Sequence, residues 1–226
     1  MTYKTLSQAY ADDVLVRLAY NSSAIEGNTI SLSETVSIIL ENTISTSSGH
    51  SIREFYEIEN HKQAFAYMQD LLESKEMLSI QIVQRFHALL LERLQHDNGQ
   101  FKQHANAIVG AEFQTASPAQ TPQLMQQWVS NATYRLESAQ DPEAFCMALA
   151  ELHIEFERIH PFSDGNGRTG RLVLLYLALL YMGAAILVNT ERRAEYIRLL
   201  AEQNAQGLGQ MCLESLKYEQ SRAKKF

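Results

Sequence analysis

Twelve consecutive residues carry most of the chemistry in this chain: His160-Pro161-Phe162-Ser163-Asp164-Gly165-Asn166-Gly167-Arg168-Thr169-Gly170-Arg171. They bring together an imidazole, a carboxylate, three glycines, an asparagine and two guanidinium groups. Histidine is the side chain best suited to accept a proton near neutral pH. Glycines ahead of an apolar helix leave unpaired N–H groups at its positive end, where anions bind. Arg168 and Arg171, three residues apart, share one face of that helix's first turn. Cations are disfavoured there without a counter-anion, and the arginine fork suits phosphate oxygens. A carboxylate beside bound phosphates, here Asp164, can hold Mg2+. These residue types predict phosphoryl or nucleotidyl transfer, with His160 as base, the loop and arginines stabilising charge, and Mg2+ as a bridge.

The elements that must position this segment read mostly at helical period. Asp141-Pro142 pairs an N-cap side chain with proline at the first helical position. It opens a helix with Phe145, Leu149, Leu152, Phe156 and Ile159 on one face. Pro161 ends that helix at His160. Thr121-Pro122 predicts a second start of the same kind. Ser7, Ser33 and Ser79 are expected to cap further helices, the first carrying Val14, Leu15 and Leu18 inward and the last Ile82, Phe86 and Leu90. Phe55, Ile58, Phe65, Met68 and Leu72 predict one more. Helices over 166–182, 191–204 and 208–222 complete the set. The stretch 96–120 lacks helical period and contains Gly99, Gly110 and Pro118; Ile108 to Thr115 is expected to form a small hairpin. No repeat or linker divides the chain. The expected fold is all-α, one helical domain over residues 1–226 with a small β-hairpin flap.

Gly165-Asn166-Gly167-Arg168-Thr169-Gly170 is also a G-x-G-x-x-G, and Leu152, Ile154 and Phe156 alternate before it. Glu191 follows about twenty residues on, the outline of a dinucleotide fingerprint. The longer, better-capped helical period over 145–159 and the want of successive strands count against it.

Composition narrows the class. The chain has 226 residues, is 46% hydrophobic and carries a net charge of −7, with a pI near 5.5. Acidity argues against nucleic acid as a partner. Cys146 and Cys212 lie in apolar helical patterns without metal-ligand spacing and read as core residues, which fits a reducing compartment. The N-terminus lacks the apolar run of a signal peptide. Leu172 to Val188 has no charge but is short for a membrane span, so a helix buried on all sides is expected. A soluble, cytoplasmic protein is the default expectation, with no membrane association.

The segment 160–171 resembles the signature of the Fic family, HPFx(D/E)GNGRxxR, at every defined position. The resemblance implies a helical fold and an enzyme, since most characterised members move AMP from ATP to a Ser, Thr or Tyr hydroxyl of a target protein. It implies that His160 deprotonates the hydroxyl, Asp164 ligates Mg2+, and Gly165, Asn166 and Gly167 cradle the phosphates. Arg168 would then hold the β-phosphate and Arg171 the γ-phosphate. Phe162 would anchor the loop. A kinase-like branch has lysine at the position of Gly167, so glycine favours AMP transfer. Residues 107–114, with Ile108, Val109 and Gly110, fall where relatives carry a flap that docks an extended target segment. Glu195-Tyr196 resembles the region that closes over adenine; a half-buried helical tyrosine fits Tyr196 equally well.

Within the N-terminal segment 1–32 a second motif matches the family's inhibitory pattern (S/T)xxxE(G/N), with Ser22, Glu26 and Gly27 at the defined positions. By itself it is a frayed helix end. Beside the signature, it implies that Glu26 pairs with Arg171 and misaligns ATP, where an error of about 1 Å can cost on the order of a hundredfold in rate. The resemblance leaves open the target protein, the chain itself included, and relatives often form homodimers. Removal of AMP from a modified target, transfer of another nucleotide-derived group, and a non-catalytic nucleotide-binding partner remain the alternatives.

Overall fold

A computed structural model describes residues 5–43, 49–106 and 114–226. Ten α-helices run in the order α1 (Gln8–Ile25), α2 (Leu32–Val36), α3 (Ile52–Glu59), α4 (His61–Glu73), α5 (Ile80–Leu90), α6 (Thr121–Ser138), α7 (Pro142–Ile159), α8 (Asn166–Met182), α9 (Arg193–Ala201) and α10 (Ala205–Arg222) among these residues. A π-helical turn (Ser37–Glu41) follows α2, and short 3-10 turns precede α9 and follow α10.

Helix α8 explains the arrangement. From Leu172 to Tyr181 every residue is apolar or aromatic and buried. A helix apolar all round must be covered on all sides, and α1, α4, α5 and α7 pack against it. Helix α7 is held in turn between α8 on one side and α6 and α10 on the other. No helix among the described residues is long and apolar enough to cross a membrane. Cys146 and Cys212 are free and buried in this core, where burial pushes the Cys146 thiol up to about 12.

Local chemistry explains most helix starts. Ser7, Ser79 and Asp141 each accept a hydrogen bond from the backbone N–H three residues on. Three expectations are corrected. The second helix is capped by Ser31, not Ser33, because Glu34 closes a capping box on Ser31 and has no counterpart three residues after Ser33. The helix expected through Phe55 and Leu72 is two, divided at Asn60, whose Nδ2 donates to the carbonyls of Leu90 and Glu92. Thr121 is the first residue of α6 rather than its cap, and its hydroxyl donates to the Ser117 carbonyl.

The β-hairpin is corrected as well: no strand occurs among the described residues. Residues 107–113, with Ile108, Val109 and Gly110, lie outside them. The flanking chain shows why a ladder does not extend there. Lys102 N–H donates to the Pro161 carbonyl at 2.9 Å, and the Asn106 side chain donates to the Phe162 carbonyl at 2.7 Å. Their bonding capacity goes to the segment after α7 rather than to a neighbouring strand. The alternation of Leu152, Ile154 and Phe156 likewise lies within α7.

One ion cluster and a pair of hydrogen bonds fix α1. Arg17 reaches Asp13 at 2.6 Å and Glu219 of α10 at 2.5 Å, and Arg222 pairs with Asp13 at 2.5 Å. At its other end, Asn21 Oδ1 accepts from Thr190 N–H and the Ile25 carbonyl accepts from Arg193. The C-terminal turn of α1 is thereby tied to the 3-10 turn before α9 and to the first residue of α9.

Candidate active site

The site lies in the connection between α7 and α8. His160 closes α7 with φ 50° and ψ 61°, a left-handed conformation that satisfies the proline rule by leaving the right-handed region. Its Nδ1 lies 3.3 Å from the Glu157 carbonyl oxygen. A carbonyl can only accept, so Nδ1 carries the proton and Nε2 keeps its lone pair. Burial pushes the imidazole down to about 4, with Lys102 lowering it further against the Glu157 carbonyl, Glu26 and Asp164. His160 is thus a neutral proton acceptor near neutral pH.

Phe162 anchors the loop. It is fully buried, stacked on the His87 ring at 3.8 Å and tilted against Phe101. Asn166 clamps it: Phe162 N–H donates to Asn166 Oδ1, and Asn166 Nδ2 donates back to the Phe162 carbonyl, both at 2.9 Å. The Asn166 side chain is committed to loop shape, and its backbone N–H is what it presents at the helix start. The first intrahelical bond runs from Thr169 N–H to the Gly165 carbonyl at 3.0 Å. The N–H groups of Asn166, Gly167 and Arg168 therefore have no intrahelical partner and form the anion-binding end of α8. Gly165 has φ +72°, and a Cβ there would stand 2.4 Å from Leu91.

Asp164 is held from three sides. Its Oδ1 accepts from Gly165 N–H at 2.6 Å; Oδ2 accepts from Arg53 at 2.8 Å and Gln95 at 3.1 Å. Burial pushes this carboxyl up, but Arg168 and those donors outweigh it and hold it below the usual range. His87 fixes the backbone behind it: Gly99 N–H donates to Nδ1, so Nε2 carries the proton and donates to the Asp164 carbonyl at 3.0 Å.

The arginines differ. Arg171 is 4% exposed. Its Nε donates to Ser22 Oγ at 3.0 Å, and its Nη2 donates to the Ser22 carbonyl at 2.8 Å and to Glu26 Oε1 at 2.6 Å. Burial would lower its pKa, yet Glu26 raises it above the usual value. In return, burial raises Glu26 and Arg171 more than reverses this. Arg168 is equally buried but under-satisfied. It sits 3.5 Å from Glu57 and 3.7 Å from Asp164, and its Nε and Nη1 make no hydrogen bond. A buried guanidinium with idle donors beside unpaired N–H groups is suited to an anion.

Gly167 faces the Glu26–Arg171 pair: a Cβ there would stand 2.2 Å from Glu26 Oε1 and 2.9 Å from Arg171 Nη1. Gly27, after Glu26, adopts φ +99° and turns the chain away from α1. Tyr196 is in the core. It is 1% exposed, and its hydroxyl meets His153 Nε2 at 2.6 Å. It offers no open face to a nucleotide in this arrangement, and the Arg171 guanidinium lies 5.9 Å from its ring centre.

The structure adds residues that spacing did not reveal. Arg53, His87, Lys102, Asn106 and Glu157 reach the site from α3, α5, the 91–120 connection and α7. None lies in a motif that marks its role. Glu157 is buried beside His153 and Arg171, and burial raises its carboxyl to about 8 despite Arg171.

The described residues thus form an all-helical fold that sets a neutral histidine at one helix end against two buried arginines at the next helix start. Residues 77–178 match the Fic/DOC family. The protein adenylyltransferase Fic of Drosophila willistoni is 30% identical over 182 residues, covering 80% of this chain and 35% of that protein. The chain spans about a third of the length of the curated relatives it matches. A Fic domain containing signaling protein from Bacteroides thetaiotaomicron superposes with a TM-score of 0.82 at 23% identity, over 98% of this chain and 94% of that one. Fic-1 from C. elegans gives 0.81 at 23% identity, over 98% and 67%. Residues 77–178 are therefore a Fic/DOC family domain.

Proposed function

We propose that this protein transfers AMP from ATP to a hydroxyl of a Ser, Thr or Tyr side chain on a protein, and that Glu26 restrains the reaction. The observation that carries the transfer reading is the pairing of His160, with Nε2 as its free acceptor, with the buried and idle donors of Arg168 across the same loop. Curated relatives named as protein adenylyltransferases support it. So do more distant structures of this fold, one with bound AMPPNP and one in complex with adenylylated Cdc42.

In this reading the target oxygen attacks the α-phosphorus while its proton passes to His160 Nε2. The new O–P bond forms as the bond between the α-phosphorus and the bridging oxygen breaks, and pyrophosphate leaves. Arg168, Arg171 and the N–H groups of residues 166–168 meet the charge on the leaving phosphates. Asp164 would hold Mg2+. The fit is supported by an ionised, partly exposed carboxylate whose Oδ2 already meets a cation, Arg53, because Mg2+ takes one or two carboxylates with phosphate oxygens and water. The ion would supply charge neutralisation between phosphates.

Restraint by Glu26 is supported by its 2.6 Å ion pair with Arg171. That guanidinium already spends Nε on Ser22 and Nη2 on Ser22 and Glu26, so a terminal phosphate that takes Nη2 must displace the carboxylate. Label transfer from α-32P-ATP tests both claims. The Glu26→Gly protein is expected to label protein far faster than wild type, and Glu26→Gly with His160→Ala not at all while still binding ATP. Labelling without His160 removes the base assignment; equal labelling with and without Glu26 removes the restraint.

A further inference from the structure

Behind His160 lies a buried ammonium that the mechanism above does not use. Lys102 is 3% exposed, and among the described residues no carboxylate pairs with it. Burying an unpaired ammonium is costly, and here it lowers the group to about 8. The charge is met by oxygens alone: Nζ donates to Asn106 Oδ1 at 2.8 Å, the Ile159 carbonyl at 3.1 Å and Thr115 Oγ1 at 3.2 Å. Ile159 is the last residue of α7, whose negative dipole end favours a cation.

The surrounding bonds give this lysine a purpose. Four consecutive carbonyls after α7 need partners, and the short segment 102–106 serves all four. Lys102 Nζ takes Ile159, Lys102 N–H takes Pro161, and Asn106 Nδ2 takes His160 at 3.3 Å and Phe162 at 2.7 Å. These bonds brace the left-handed backbone of His160, a conformation that a non-glycine residue holds only where its surroundings impose it. The same group joins the two ends of the 107–113 segment. Thr115 Oγ1 lies 2.8 Å from both the Asn106 carbonyl oxygen and Asn106 Oδ1, donates its one proton to this pair, and accepts from Lys102.

We propose that Lys102 is a positioning residue that ties His160 to both feet of the 107–113 segment, so that the base and the chain that flanks it move as one unit. The proposal rests on the transfer reading above. It differs from a general packing role in one respect: Lys102 touches no phosphate-binding group, so its loss acts on the chemical step and leaves nucleotide binding intact.

The test uses the Glu26→Gly protein as parent and the chain itself as acceptor of label from ATP. Lys102→Met is expected to lower kcat by about tenfold to a hundredfold, the range a misplacement near 1 Å produces, with KM for ATP within about twofold. Lys102→Arg, which can still donate to the Ile159 carbonyl, is expected to recover most of the loss. Thr115→Val keeps the lysine and removes the hydroxyl between the feet, and is expected to lower kcat severalfold at unchanged KM. Amide hydrogen exchange at 102–106, 114–116 and 160–163 is expected to quicken together in both non-conservative variants. Parent-like kcat, or a kcat loss matched by an equal loss of ATP affinity, overturns the proposal. Should Lys102→Met not fold, Thr115→Val decides by the same criteria. A parent that transfers no AMP sinks the transfer reading alone; the exchange pattern then still decides the coupling, and unchanged exchange at either foot overturns it.

Discussion

Glu26 Oε1 lies 2.6 Å from Arg171 Nη2, and the same oxygen occupies space that only a glycine at position 167 leaves open. The residues come from the end of α1 and the first two turns of α8, and Ser22 completes the contact by accepting from Arg171 Nε. Two sequence motifs more than a hundred residues apart thus share one guanidinium.

Ser22 is the lesser half of this latch. Replacing it with alanine removes a buried hydrogen bond to a charged group, about 1.5–3 kcal/mol in general, while Glu26 can still reach Arg171. Basal AMP transfer by Ser22→Ala is expected to rise severalfold, well short of Glu26→Gly. Transfer at the wild-type level in Ser22→Ala, alongside an active Glu26→Gly protein, would show that the serine has no part in the restraint.

Gly167 is needed by the cradle itself. In the Glu26→Gly protein the clash with the carboxylate is gone, but a Cβ at 167 still stands 2.9 Å from Arg171 Nη1. Gly167→Ala in that background is expected to weaken ATP binding by about tenfold or more, equivalent to ~1.4 kcal/mol, as read by calorimetry. Undiminished affinity would mean that phosphates do not approach this face.

Arg53 competes for Asp164. Its side chain is 52% exposed and bridges Asp164 and Glu57, so Arg53→Ala should change stability by no more than about 1 kcal/mol. Freed of that cation, Asp164 is expected to bind Mn2+ at a severalfold lower concentration in the presence of AMPPNP, measured by water-proton relaxation. Asp164→Asn should abolish the difference. An unchanged half-saturation in Arg53→Ala would argue against Asp164 as the metal ligand.

Stability should rise with pH and level off at about 7. Burial pushes His61 and His153 down to about 3, and His87 and His160 down to about 4. An unfolded histidine titrates near ~6.5. Between these values the unfolded chain binds more protons, so the histidine contribution is complete above ~6.5 and lost as pH falls towards about 4. Glu157 has the opposite sign. Its folded value is raised to about 8, against ~4.3 unfolded, so its contribution is complete below ~4.3 and lost as pH rises to about 8. Lys102, lowered to about 8, has the sign of the histidines and offsets Glu157 towards pH 8. Urea midpoints from pH 4 to 8 are expected to rise to about 7 and then level off, and Glu157→Gln should let the rise continue to pH 8. A wild-type midpoint that climbs as steeply from pH 7 to 8 as from 5 to 6 contradicts this.

Much of the helical frame was legible because capping is local. Asp141-Pro142 and Ser79 needed only their neighbours, and α8 was delimited at Asn166 and Met182 because glycines stand on both sides of an apolar run. Ser33 misled because the capping box lies two residues earlier, at Ser31 and Glu34. The break at Asn60 was hidden because its cause is distant: the side chain is spent on carbonyls at 90 and 92. The described chain before the expected hairpin carries no strand for a related reason, since backbone and side-chain donors at 102 and 106 turn to the loop after α7.

The sequence by itself determined the chemical types at the site, their order along the loop and the family, because each depends on residues adjacent in the chain. It also placed Ser22 and Glu26 in a motif. The tertiary structure alone decided how these groups meet. It put Glu26 on Arg171, left Arg168 with idle donors, buried Tyr196 away from any nucleotide face, and set Lys102 behind His160. Burial and cross-chain hydrogen bonds depend on which helices pack together. Burial among those helices keeps His160 neutral, whereas the Glu157 carbonyl three residues back holds its proton on Nδ1.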